Sequence, residues 1–297
     1  MSMPEKLQEA VPKARRARIR TLIQHCEELP TVPSVVKTIT QLTSDVNCSL
    51  GELEAAIKAD QSCVARLLQL ANSALYSPDA NRPVTSVRRA VLAYGLNAVK
   101  NLTMSLTVFE CFTTKNSAEI AVVDTIRLHS LAVASLSKYI AATSAREIDE
   151  DLAFCAGLLH DIGRIVLWHM FPQEYYALLT HFDQASDVEI SKAEFDTFEV
   201  THAVAGQWLG EQWRFPAPLL QAIATHHSTH VANPLIATVM LANALADMQG
   251  IGLGGMVRSS GLDALLRMLG LTSKYVDDYA RYLEDNMPNL THIVSGT

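Results

Sequence analysis

Nothing in this sequence prepares it for disulfide chemistry. Its five cysteines, Cys26, Cys48, Cys63, Cys111 and Cys155, are odd in number and widely scattered, and no CxxC pair occurs. That excludes a zinc ribbon or a redox dithiol and points to a reducing, cytoplasmic setting. Cations are in the minority too: 24 Lys and Arg stand against 31 Asp and Glu, a net charge of −7. A broad nucleic-acid surface is thereby excluded, because neutralising phosphates needs clustered Lys and Arg. The one basic run, KARRARIR, reads as a solvated helix face. No uninterrupted apolar run approaches the roughly 18 residues of a membrane helix, and the charged N-terminal stretch has no secretory apolar segment, so a soluble intracellular protein without a membrane span is expected. Alternating strand patterns with Asn-Gly or Asp-Gly turns are also missing.

What is present is helical. The chain has 297 residues, 49% of them apolar, enough for a sizeable core in one or two domains. In TSVRRAVLAYG, Val87, Ala90, Val91 and Tyr94 fall at i, i+3, i+4 and i+7, and Gly95 is placed to end the helix. Ser49 with Glu52, and Ser191 with Glu194, form capping-box patterns that should each open a helix. Long Ala- and Leu-rich windows favour helix by propensity, and the fold class is read as all-α. The polar start of TTKNSAEIAVVD, near residues 113 to 124, marks a lobe boundary, and the glycine-rich QGIGLGGMVRSSG reads as a linker. Its glycines follow a helix, which removes the strand context that a dinucleotide loop needs. Trp208 and Trp213 read as core packing, LPTVP as an extended segment fixed by its prolines, and Asn72 as a residue that hydrogen-bonds a neighbouring loop.

The chemistry is concentrated in the second half. His129, the pair His160-Asp161, His202, the pair His226-His227 and Asp247 offer imidazole nitrogens and carboxylate oxygens, a donor mix suited to zinc, iron or manganese. Each residue also has a plainer account. A single His on an apolar helix is commonly a packed, hydrogen-bonded residue. His226-His227 also suits the last turn of a helix, and Asp247 suits a solvated helix end. His160-Asp161 reads alternatively as a helix-terminal polar pair capped by Gly163. Its apolar approach, AFCAGLL, would nevertheless bury both side chains, which then require partners.

The order of several motifs supplies a resemblance. LPTVPSVVKTITQL, IKADQSCVARLLQLANSALYS and VTSVRRAVLAYGLNAVKNLTMS are similar to the first half of an HDOD domain, a bacterial relative of the HD phosphohydrolases. HSLAVAS, AFCAGLLHDIGRIVL, the E…H spacing of EFDTFEVTHAVAGQWLGEQWRFP, and AIATHH resemble the second half in the same order. The resemblance implies an HDOD domain over residues 22–250, with an N-terminal helical lobe at 22–115, an HD-like metal-site lobe at 116–250 and a helical tail at 251–297. By likeness to HD and HD-GYP enzymes, His129, His160, Asp161 and Asp247 would hold one metal. Asp161 would bridge to a second held by His202, His226 and His227. Two divalent transition metals, iron, manganese or zinc, are therefore expected. Thr125 stands where a third metal's glutamate would fall, and Arg164 stands where HD-GYP enzymes carry Lys, placed to stabilise a phosphoryl oxygen. Asp161 and Arg164 are the implied catalytic pair. Ser228 after the His pair and the lack of a Gly-Tyr-Pro motif weigh against cyclic di-GMP.

Three functions stay open on these residues. One is a signalling protein with metal-dependent phosphohydrolase activity on a nucleotide or other phosphoester. Another is a non-catalytic regulatory module with a structural metal site and a signalling-protein partner. The last is a diiron oxygenase or redox sensor.

Overall fold

The computed structural model describes residues 16–17, 19–21, 23, 34–43, 49–73, 76, 83–111, 117–181, 187–252 and 261–295. Among these, every regular element is an α-helix, as the sequence pattern predicts. LPTVP and much of the glycine-rich segment lie outside the described residues.

The N-terminal helices are α1 (Ser34–Thr43), α2 (Leu50–Lys58), α3 (Gln61–Ala71), α4 (Val87–Tyr94) and α5 (Leu96–Cys111). Local chemistry sets their ends. The Ser49–Glu52 capping box forms, with Glu52 Oε2 accepting from the Ser49 amide at 2.8 Å. Ser86 caps α4 and Gly95, at φ 89°, closes it, while Val87, Ala90 and Val91 are buried. Asn72 works as expected: its amide donates to Val84 O at 2.8 Å and its Oδ1 accepts from Val84 N at 2.7 Å.

The second group comprises α6 (Ser117–Thr143), α7 (Glu150–Leu159), α8 (Ile162–Met170), α9 (Pro172–His181), α10 (Asp187–Phe198), α11 (His202–Gln212), α12 (Ala217–Thr225) and α13 (Pro234–Met248). Two more follow, α14 (Leu262–Met268) and α15 (Lys274–Ser295). Helix α6 is the axle, with α7, α13 and α15 packed along it. Its residues 120–143 are long and apolar enough to cross a membrane by composition, but 61% of that stretch's apolar window is buried inside the fold, as expected of a core helix. The segment read as separating the lobes belongs partly to α6, which begins at Ser117, ahead of His129.

Small residues bring the site helices together. A Cβ on Gly157 would lie 2.8 Å from Ala134 Cα, so α6 and α7 cross closely and His129 and His160 become neighbours. Gly163 has the same role between α8 and α11: a Cβ there would collide with the His202 carbonyl oxygen and lie 2.6 Å from Gly206 N. Gly163 therefore permits a helix crossing inside α8 and caps nothing, which corrects the capping alternative. The N-terminal helices dock on this body through α5 against α7 and through Tyr76. The Tyr76 hydroxyl donates to Asp151 Oδ1 at 2.7 Å, and the Lys138 ammonium lies 3.6 Å from the centre of the Tyr76 ring. Trp208 and Trp213 are core residues as expected, and Arg16 and Arg20 also lie over the Trp208 ring, at 5.9 and 5.6 Å.

Candidate metal centre

The chain breaks helix between Leu159 and Ile162, and the break places His160 and Asp161 in the interior with 0% and 2% exposure. His129 on α6 and His202 at the start of α11 are buried beside them. His226, just past α12, is buried too, and His227 is half-buried. Two groups of potential ligand atoms result. One comprises His129, His160 and Asp161; the other comprises Asp161, His202, His226 and His227.

Hydrogen bonds on the far edges of the rings decide which nitrogen faces inward. His129 Nδ1 lies 2.6 Å from Ile251 O, His160 Nδ1 2.7 Å from Gly157 O, His226 Nδ1 2.8 Å from Ile223 O, and His202 Nδ1 2.7 Å from Glu194 Oε2. Every one of those oxygens can only accept, so each Nδ1 carries the proton and each Nε2 is left with a lone pair. The lone pairs of His202 and His226 converge, Nε2 to Nε2 at 3.2 Å, and His227 Nε2 lies 2.8 Å from His202 Nε2. Lone pairs of two neutral rings repel at such distances unless a cation or proton lies between them.

Asp161 straddles the two groups. Its Oδ1 is 3.2 Å from His202 Nε2 and 3.4 Å from His226 Nε2, whereas its Oδ2 is 3.6 Å from His160 Nε2 and 3.8 Å from His129 Nε2. Two buried atoms, His160 Nε2 and Asp161 Oδ1, have no hydrogen-bond partner, a costly arrangement for polar groups out of water. Divalent cations bound by imidazole and carboxylate would satisfy both, so the residues present fit a metal. Electrostatics agree. Burial pushes the His160 imidazolium down to about 3, so the ring is neutral. Burial alone would raise the Asp161 carboxyl, but the Arg164 guanidinium beside it outweighs burial and holds the group ionised, well below the usual carboxylate range.

Two residues singled out from the sequence sit differently from the resemblance. Asp247 is buried, yet it belongs to neither group: its Oδ1 is 3.9 Å from His129 Nδ1, the outer edge of that ring. Arg164 is 1% exposed, and its Nε donates to Asp161 Oδ2 at 2.7 Å, with Nη1 3.6 Å from Glu194 Oε1. The guanidinium is held between two buried carboxylates.

Glu194 is a site residue that the capping pattern concealed. Helix α10 already runs from Asp187, so Ser191 does not cap it, and Glu194 lies inside with 0% exposure. It accepts from Tyr175 Oη at 2.6 Å and from both the amide and Nδ1 of His202 at 2.7 Å. Burial would raise its pKa, but His202, Arg164 and Tyr175 together keep it below the ordinary glutamate value. A carboxylate behind a ligand imidazole fixes the ring's tautomer and orientation. The E…H spacing was the available signal. Asn243 is a second such residue, with Oδ1 2.9 Å from His129 Nε2.

An all-helical body around a buried His and Asp cluster defines the class, and comparison with known proteins supplies the family. Residues 29–229, more than half of the chain, match the HDOD domain family, and the chain belongs to it. An uncharacterised protein of Treponema pallidum is 26% identical over 227 residues, which cover 75% of this chain and 43% of that protein. The chain spans less than half the length of the relatives it matches in this way. An HDOD domain protein of unknown function from Geobacter sulfurreducens superposes with a TM-score of 0.69 at 23% identity, covering 95% of this chain and 97% of that one. A Shewanella amazonensis protein provisionally named a metal-dependent phosphohydrolase gives 0.64 at 20% identity, covering 95% and 98%. At these identities the likeness establishes the shared fold.

Proposed function

We propose that this chain is a signalling HDOD protein that holds divalent metal on both sides of Asp161, and that the centre serves hydrolysis of a nucleotide or other phosphoester. The observation that carries this reading is the convergence of four protonated-Nδ1 imidazoles, their Nε2 atoms directed at one ionised carboxylate. Iron, manganese or zinc, up to two ions, would supply Lewis acidity toward a phosphoryl oxygen and acidify water near neutral pH. His129, His160 and Asp161 would hold one ion, and Asp161, His202, His226 and His227 the other. Glu194 orients His202, and half-buried His227 lies on the accessible side. The buried thiols Cys63 and Cys155, neither in a disulfide, accord with a reducing cytoplasm. A signalling-protein partner would find the exposed face of α4, where Arg88, Arg89 and the 73% exposed Leu92 lie together.

One observation favours the non-catalytic regulatory alternative. Arg164 is 1% exposed and its guanidinium is already engaged with Asp161 and Glu194, an arrangement suited to positioning Asp161. Elemental analysis of protein reconstituted anaerobically, combined with hydrolysis of bis(p-nitrophenyl) phosphate, separates the readings. Metal-dependent turnover that collapses in His160→Ala and Asp161→Ala supports hydrolysis. Bound metal with equal background rates in wild type and both variants leaves the regulatory module. Absence of metal under all conditions refutes both.

A further inference from the structure

We propose that the two halves of this centre are unequal: the His202, His226, His227 and Asp161 half binds metal tightly, and Asn243 weakens the His129 and His160 half. The inference rests on the metal-binding reading above and concerns how that metal is distributed.

The tight half has three imidazole Nε2 atoms and Asp161 Oδ1, an oxygen that accepts no hydrogen bond. Three nitrogens and one anionic oxygen make a complete tetrahedral donor set. The other half is poorer in two independent ways. Asp161 turns Oδ2 toward it, and that oxygen already accepts the charged Nε of Arg164 at 2.7 Å. The guanidinium withdraws electron density from the oxygen and places a positive charge beside any cation bound there.

The second deficit is Asn243. Its neutral side-chain amide faces the inward lone pair of His129 at 2.9 Å, nearer than the shared Asp161 Oδ2 at 3.8 Å. With the amide rotated by half a turn, an N–H of Asn243 donates to Nε2 and occupies the lone pair that a metal would take. Asp247 does not replace the missing anion. It lies one helical turn further along α13, and its carboxylate approaches His129 from the Nδ1 edge, where Ile251 O already accepts the ring proton. The His129 half therefore has two neutral nitrogens, a shared carboxylate oxygen and a neutral amide. Changes outside the ligand shell alone alter metal affinity about 10–100-fold, so loss of an anionic ligand should separate the two halves by at least about tenfold.

The test uses the full chain, Zn2+ as probe, titration calorimetry, and elemental analysis after gel filtration. Wild type should retain about one tightly held ion. Asn243→Asp should bind a second ion at least about tenfold more tightly than wild type does. Asp247→Asn should match wild type, with helical content by circular dichroism confirming that each variant folds. Two ions of equal affinity in wild type would overturn the proposal, as would loss of an ion in Asp247→Asn or an unchanged second site in Asn243→Asp. If Asn243→Asp does not fold, wild type and Asp247→Asn still decide. Wild type that binds no Zn2+ would instead refute the metal-binding reading itself.

Discussion

Replacing Glu194 by Gln preserves shape while removing one charge from the interior, and the structure sets the size of the effect. Glu194 Oε2 accepts both N–H groups of His202, and Oε1 accepts the Tyr175 hydroxyl and faces Arg164 Nη1 at 3.6 Å. The Gln carbonyl can retain the two His202 bonds. Its amide must then face Tyr175 and Arg164. The hydroxyl can rotate to accept, but the guanidinium cannot, so two donors oppose each other and Arg164 keeps Asp161 as its buried carboxylate. Removing one member of a buried ionic network costs about 3–5 kcal/mol when nothing replaces it. With two bonds retained, about 2–3 kcal/mol is expected. At about 2–4 °C per kcal/mol for a domain somewhat smaller than this one, the melting temperature should fall by about 5–10 °C. Metal affinity should fall about 10–100-fold because His202 loses its anionic support. Differential scanning calorimetry and metal titration read the two effects separately. Wild-type melting together with wild-type affinity would refute the reasoning. Lower melting with unchanged affinity would reduce Glu194 to a packing residue.

Two further outcomes follow from the same geometry. Gly163→Ala forces a methyl group into the His202 carbonyl and the Gly206 amide, both backbone. It should cost about 3 kcal/mol or prevent folding, with metal lost in either case, and a wild-type melting curve would contradict the close crossing of α8 and α11. On α4, Arg88→Glu combined with Arg89→Glu should change the proteins captured from a bacterial lysate without changing metal content. Identical capture would remove this face as the partner site, and loss of metal would show that the two halves of the chain are not functionally separable.

The features legible in the sequence were those that neighbouring residues decide. The Ser49–Glu52 box and the start and stop of α4 depend on contacts within one helical turn, and both formed as read. The same local rule failed at Ser191 and Glu194 because a longer-range term competes with it. DVEI ahead of Ser191 continues as helix and turns Ile190 and Glu194 to one inner face, with both at 0% exposure. Three hydrogen-bond donors, from Tyr175 and His202, and the Arg164 guanidinium then gather on the carboxylate, and a single exposed cap bond cannot compensate for losing them. The capping box is a pattern of four residues. The Glu194 network involves residues up to 30 positions away, and only the E…H spacing registered it in one dimension.

Asn243 and Asp247 show where pattern reading reaches its resolution. They are four residues apart on α13 and share one face of the helix, so periodicity presents them to α6 equally well. Charge favours Asp247 as the ligand, and the one sequence argument against it, a solvated helix end, does not point to Asn243 instead. The two positions lie about 6 Å apart along α13, the rise of four helical residues, so the choice is made by the axial offset of α13 against α6, which tertiary packing alone determines. At the offset found here Asn243 meets the inward nitrogen of His129 and Asp247 meets the outward one. The chain thus carries all seven side chains expected of a two-metal set while placing six of them in the two candidate ligand groups. Composition and order identified the centre. On the proposed metal-binding reading, the number of ions held tightly depends on which of two residues, one helical turn apart, faces a single lone pair.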